Sequence, residues 1–140
     1  MAERAIISAE GSDIGLYLHW HGTRTWVRAY LEYCRRRRFK SPAAFEHLPS
    51  DPYGWARLAQ VVANHMGPDG LSVGIDVIDR LPVPHENGTY LIGGASGWEV
   101  LEAPDAGDDN LELESLIYEI DQAQPQDQRL SNARLSHLMG

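Results

Sequence analysis

The sequence is poor in cysteine, in long apolar runs and, over one stretch, in positive charge. Cys34 is the only cysteine, so no internal disulfide can form and stability must come from packing. No segment approaches the ~18 consecutive apolar residues of a membrane span, and residues 1–11 hold no apolar leader-like run. These absences point to a cytoplasmic protein with no membrane contact. Nucleotide-binding and hydrolase signatures are missing too. Gly93-Gly94-Ala95-Ser96-Gly97 lacks the Lys and Ser/Thr that a phosphate loop needs, and no serine sits in a nucleophile elbow. No cofactor is expected. From Glu99 to Asp121 there are nine acids and no Lys or Arg.

What is present fits one folded unit. The chain has 140 residues, near the usual domain size of ~100–150 residues. At this length roughly two thirds of the unfolded surface can be buried. Residues 1–125 read as a single α+β domain. Residues 126–140 read as a tail, weakly helical through Leu130, Leu135 and Leu138, able to dock on a partner chain. The formal net charge is -8. That disfavours direct nucleic-acid binding, which positive charge drives, and suits a basic partner.

The stretch 51–79 organises the chain. Asp51 can cap a helix whose first position suits Pro52. Trp55, Leu58, Ala59, Val62 and Met66 follow helical spacing, and Val61 broadens the stripe. Gly67 and Pro68 end it. Leu71, Val73, Ile75 and Val77 then alternate with small or polar residues, as in a strand with one face on the core. Upstream, residues 4–10 and 16–21 read as two strands, the second with Leu16, Leu18 and Trp20 on one face and Tyr17, His19 and His21 on the other. A helix follows to about Arg38, with Val27, Tyr30, Leu31 and Cys34 inward. Ser41-Pro42 can start a short helical turn. Downstream, 89–93 and 98–101 read as strands joined by a glycine-rich loop, and Asn87-Gly88 as a tight turn. Asp109 and Glu112 stand in capping-box-like spacing before a helix carrying Leu113, Leu116, Ile117 and Ile120, which Pro125 stops. The order of elements predicts an α+β fold: an antiparallel sheet of about five strands with the helices packed on one face. Trp20, Val27, Leu31, Trp55, Leu58, Val62, Val73, Ile75, Leu116 and Ile120 should form its packing centre.

Several stretches also carry a resemblance. Ile7-Ser8-Ala9-Glu10-Gly11-Ser12-Asp13-Ile14-Gly15-Leu16-Tyr17-Leu18-His19-Trp20, Tyr53-Gly54-Trp55-Ala56-Arg57-Leu58-Ala59-Gln60-Val61, Leu71-Ser72-Val73-Gly74-Ile75-Asp76, Asn87-Gly88-Thr89-Tyr90-Leu91-Ile92 and Ile120-Asp121-Gln122-Ala123-Gln124-Pro125 are involved. They resemble a family of short, largely uncharacterised proteins carried on conjugative elements, prophages and phages of Gram-positive bacteria. Residues 43–49 and 93–97 look like insertions. The resemblance implies no catalytic residues. It implies a context of mobile DNA, where small accessory proteins bind and block host machinery, a defence system such as CRISPR–Cas included.

Two function classes follow. In the first the chain is a non-enzymatic binder of a host protein or protein complex. Its contacts are the acidic Glu99, Glu102, Asp105, Asp108, Asp109 and Glu112, or the basic Arg35, Arg36, Arg37 and Arg38. Each cluster has a local reading as well. Cations complement a helix C-terminus, acids complement a helix N-terminus, and the arginines can face the protein's own acids. The arginines could instead grip phosphates, with Phe39 or Tyr33 stacking on a base. In the second class His19 and His21, two apart on a strand, share a metal in a small metal-binding protein or enzyme. That needs a third ligand, for which His65, His85, Asp76 and Asp79 are candidates. The simpler reading is two histidines on a polar sheet face. Cys34 reads as a buried structural thiol. Self-association is open.

Overall fold

A computed structural model describes residues 2–37, 52–67, 72–94, 97–104 and 109–130 of the chain. Five strands form one sheet: β1 (Ala5–Ala9), β2 (Ile14–Leu18), β3 (Val73–Val77), β4 (Gly88–Gly93) and β5 (Glu99–Glu102), in the order β3-β2-β1-β4-β5. Among the described residues three helices accompany it: α1 (Arg24–Arg37), α2 (Pro52–Met66) and α3 (Leu113–Ala123). The fold is α+β, as the element order implied. The helix expected after Ser41 lies outside the described residues.

Alternation sorts the side chains. Ala5, Ile7 and Ala9 of β1, Leu16 and Leu18 of β2, and Tyr90 and Ile92 of β4 point into one core. The helices fill the other side of that core with Val27, Tyr30, Leu31, Leu58, Val62, Leu116 and Ile120. Pro52 opens α2, and Gly67 follows it at φ +56, a conformation glycine adopts without penalty.

The sheet differs from expectation in one respect. Three neighbouring pairs are antiparallel, but β1 and β4 run parallel, Ile7 opposite Tyr90. Parallel neighbours need a crossover. Here the chain leaves β3 beside Asp13 (Ile78 N to Asp13 O, 2.9 Å) and returns to β4 beside Arg4 (Asn87 N to Arg4 O, 3.1 Å). Residues 78–87 therefore strap the sheet face opposite the helices. Ile78 and Leu81 sit over Gly15, where a Cβ would lie 3.1 Å from each and 2.8 Å from Ile6. That is why Ile6 and Tyr17, which face away from the helices, are buried as well.

The packing centre differs at its margin. Val27, Leu31, Leu58, Val62, Leu116 and Ile120 are buried, and Trp20, Trp55 and Val73 pack against them. Ile75 is 50 % exposed, because β3 is an outer strand that among the described residues pairs with β2 alone.

Buried polar groups fasten the helices to one another. The Tyr33 hydroxyl donates to Asp121 at 2.8 Å, and the Leu130 amide donates to the same oxygen at 2.6 Å. Gln124 donates to the Val61 and Ile120 carbonyls and accepts from Asn64. Asp121 and Gln124 are thus buried with partners, as buried polar groups must be. Leu130 packs on the core, so the segment read as a tail is anchored at its start.

Two glycines make a graded prediction. At Gly15 a Cβ would meet side-chain ends, which can shift. At Gly22 it would fall 2.3 Å from the Glu3 carbonyl oxygen, in a backbone that cannot. Chemical denaturation should show Gly15→Ala losing about 1–3 kcal/mol, the usual cost of overpacking, and Gly22→Ala losing more. Equal losses would mean that the side chains over Gly15 give no more readily than the backbone beside Gly22.

Candidate functional site

His19 and His21, two residues apart, enter separate surroundings. β2 ends at Leu18, so strand alternation does not reach His21. His19 stays beside Tyr17, whose hydroxyl lies 2.9 Å from Nδ1, and its ring meets Trp20 edge-on at 4.7 Å. Burial raises the Tyr17 pKa, so the phenol keeps its proton and donates. His21 has φ +58, an uncommon left-handed conformation for a residue with a Cβ. Its ring lies against Trp26 at 4.4 Å and His65 at 5.0 Å. Among the described residues no three or more His, Cys, Asp or Glu are grouped to hold a metal ion.

His65 instead joins all three helices. Its Nδ1 lies 2.7 Å from the Tyr30 hydroxyl of α1, and its Nε2 lies 3.2 Å from Glu119 of α3. The protons can be placed by argument. Burial lifts the Tyr30 pKa far above neutral, so Tyr30 donates and Nδ1 accepts. The ring proton then sits on Nε2 and points at Glu119. Burial also lowers the His65 pKa, and the Glu119 carboxylate pulls it back only in part. Burial prevails because the His65 side chain is 6 % exposed, whereas Glu119 is 61 % exposed and solvent screens its charge. Helical spacing and the isolated positions of Tyr30 and His65 gave no sign of this chain of contacts. The Cys34 thiol is fully buried and its pKa is raised by desolvation, which suppresses the reactive thiolate.

The arginine run is engaged by its own chain. Arg35 bonds Glu32 through two nitrogens. Arg36 bridges Glu32 and Glu114, the latter at 2.6 Å. Arg37 donates to the Gln128 carbonyl. Arg38 lies outside the described residues, as do Asp105 and Asp108. Arg35 and Arg36 hold the Glu32 carboxyl below its ordinary pKa.

Two of the acids serve helix starts. Asp109 reaches back to α1, accepting from the Thr25 hydroxyl at 2.8 Å and the Thr25 amide at 3.3 Å, and also from the Leu111 amide. Burial alone would raise its pKa, but the Thr23 side chain, together with these donors, holds it low. The capping residue read for α3 therefore stabilises α1, because the turn at 109–111 folds it toward the earlier helix. Glu112 takes the N-cap position of α3 without a side-chain bond to the backbone there, and accepts from Ser115.

Glu99 and Glu102 remain on β5, an outer strand that pairs with β4 alone among the described residues. The register explains how they are presented. Gly93 pairs with Glu99, Ile92 with Val100 and Leu91 with Glu102, so β5 carries one extra residue, Leu101. This bulge puts Glu99 and Glu102 on one sheet face, where strict alternation would part them. Leu101 is 42 % exposed between them. On the helix side of β5 lies an open groove of about 530 Å³. Leu31, Trp98, Val100 and Leu113 give it apolar lining, and Arg28, Glu32, Arg35 and Glu99 give it charge. One member of each charge cluster read from the sequence, Arg35 and Glu99, thus meets at this groove. No helix among the described residues is long and apolar enough to cross a membrane.

Comparison with protein-family models, with curated proteins and with solved structures finds no match.

The buried histidine gives a pH signature. Its pKa is lowered on folding from an ordinary 6.5, so the unfolded chain binds the proton first. Its contribution is complete above about pH 6.5 and is lost as pH falls toward the depressed folded value. Denaturation midpoints should decline over that window, and His65→Gln should start lower and decline less. An identical decline in both proteins would assign the effect to other groups.

Proposed function

We propose that the protein is a non-enzymatic accessory protein of the mobile-element or phage kind, which works in the cytoplasm by binding a host protein complex and blocking it. A bacterial defence system such as CRISPR–Cas is the target class suggested by the resemblance. The observation that carries the binding reading is the β5 edge. It presents Glu99, Leu101 and Glu102 together at an outer strand, beside a groove with apolar lining. An exposed apolar side chain flanked by like charges, on a strand with room for another, is suited to a basic partner. Arg35, Arg36 and Arg37 support the same assignment, since their bonds to Glu32, Glu114 and Gln128 leave the acidic edge as the better docking surface. A net charge of -8 would speed encounter with such a partner.

Native mass spectrometry after incubation with host lysate tests this. One defined complex is expected, lost in Glu99→Lys/Glu102→Lys and retained in Arg35→Ala. A complex that depends on Arg35 and not on the two glutamates would move the surface to the arginines. Stoichiometric metal on the purified chain would favour a histidine-based metal protein centred on His19 and His21.

A further inference from the structure

We infer that β5 receives a strand of the partner as a sixth strand of the sheet, and that this strand alternates basic and apolar side chains. The inference rests on the binding reading above and specifies its chemistry.

The two outer strands are not equivalent. On β3 the Asp76 carboxylate accepts from the Val77 amide at 2.7 Å, so a side chain of the strand itself occupies a donor there. β5 has no such plug among the described residues. Its edge groups can serve an incoming backbone, the mode in which main-chain bonds give affinity and alternate side chains give specificity.

Alternation then dictates what the incoming strand must carry. Successive side chains point to opposite faces. Those on the helix side enter the groove. Arg28, Leu31, Glu32 and Arg35 recur along one stripe of α1 and form its upper wall, with Trp98, Val100 and Leu113 below and beside them. Arg35 and Glu32 neutralise each other. Apolar side chains fit this lining, and Arg28 at the rim repels a basic one. Side chains on the opposite face meet Glu102 and, at the strand edge where it also borders the groove, Glu99. Glu10 adds a third carboxylate near them, since a Cβ at Gly93 would lie 2.9 Å from its Oε2. That face calls for Lys or Arg.

The same geometry disfavours a second copy as occupant. In a two-fold antiparallel pairing of β5 with itself, the Glu99 and Glu102 carboxylates of both copies crowd one sheet face. Like charges directly opposite destabilise a strand pair. A basic strand gains where a second copy loses.

The probe is a capped hexapeptide of alternating lysine and valine, added to the full isotopically labelled chain and followed by amide hydrogen exchange. The β5 amides that do not bond β4 should slow, and a glutamate–valine peptide should leave them unchanged. Glu99→Lys/Glu102→Lys should weaken uptake about tenfold or more, and Leu113→Glu should do so from the groove side. Thermal melts of these exposed or rim variants confirm that they fold. Lysine–valine uptake without slowing at β5, or equal uptake of the glutamate–valine peptide, overturns the inference. A host complex that forms but leaves β5 exchange unchanged overturns strand addition alone. A chain that captures neither host complex nor peptide overturns both readings.

Discussion

β1 is buried on both faces, and the rest of the structure follows from covering it. All five residues from Ala5 to Ala9 are buried. Ala5, Ile7 and Ala9 need a helix layer, and Ile6 and Ser8 need something on the other side. A strand in that position must also bond on both edges, because its backbone has no water to turn to. β2 and β4 supply those bonds, one antiparallel and one parallel. The parallel partner makes the 78–87 crossover necessary, and the crossover then becomes the second cover. One constraint thus accounts for the strand order, the strap and the glycine beneath it.

The charge distribution follows from fastening the helix layer. α1 packs against both α2 and α3, and both its ends are tied by later parts of the chain. Asp109 caps its start, and Glu114 and the Gln128 carbonyl take arginines near its end. Surface ion pairs of this kind contribute little stability each, typically under ~1 kcal/mol. Their consequence here lies in function. Among the described residues, clusters that look like binding surfaces in the sequence are largely engaged in assembling the fold, and Glu99 and Glu102 of β5 are acids that fasten no helix.

What the sequence disclosed depended on whether the signal was local. α2 was legible because Pro52, the apolar stripe and Gly67 each act within a few residues. The strands β1, β2, β4 and β5 were legible for the same reason. The parallel β1–β4 pair was not, since strand direction depends on a connection that carries no periodic pattern. Ile75 alternated as a core residue should, but alternation says which face a residue takes and nothing of how far the cover extends. Strand alternation puts His19 and His21 on one face, but β2 ends at Leu18 and the positive φ at His21 turns it toward Trp26 and His65. Asp121 looked like one acid among nine, yet Tyr33 and the Leu130 amide hold it in the interior. Of the site, Glu99 and Glu102 were visible as charges. Their common face was not, because a bulge is a property of pairing and leaves no mark in composition.

The central claim is a contrast between a strand covered on every side and an outer strand left open. Residue-resolved amide hydrogen exchange on the free protein tests it in one experiment. The account predicts that β1 amides exchange only through global unfolding, and that the β5 amides not bonded to β4 exchange faster by orders of magnitude. Protection of those β5 amides at the level of β1, in the free chain, would contradict it, because the edge would then already be covered.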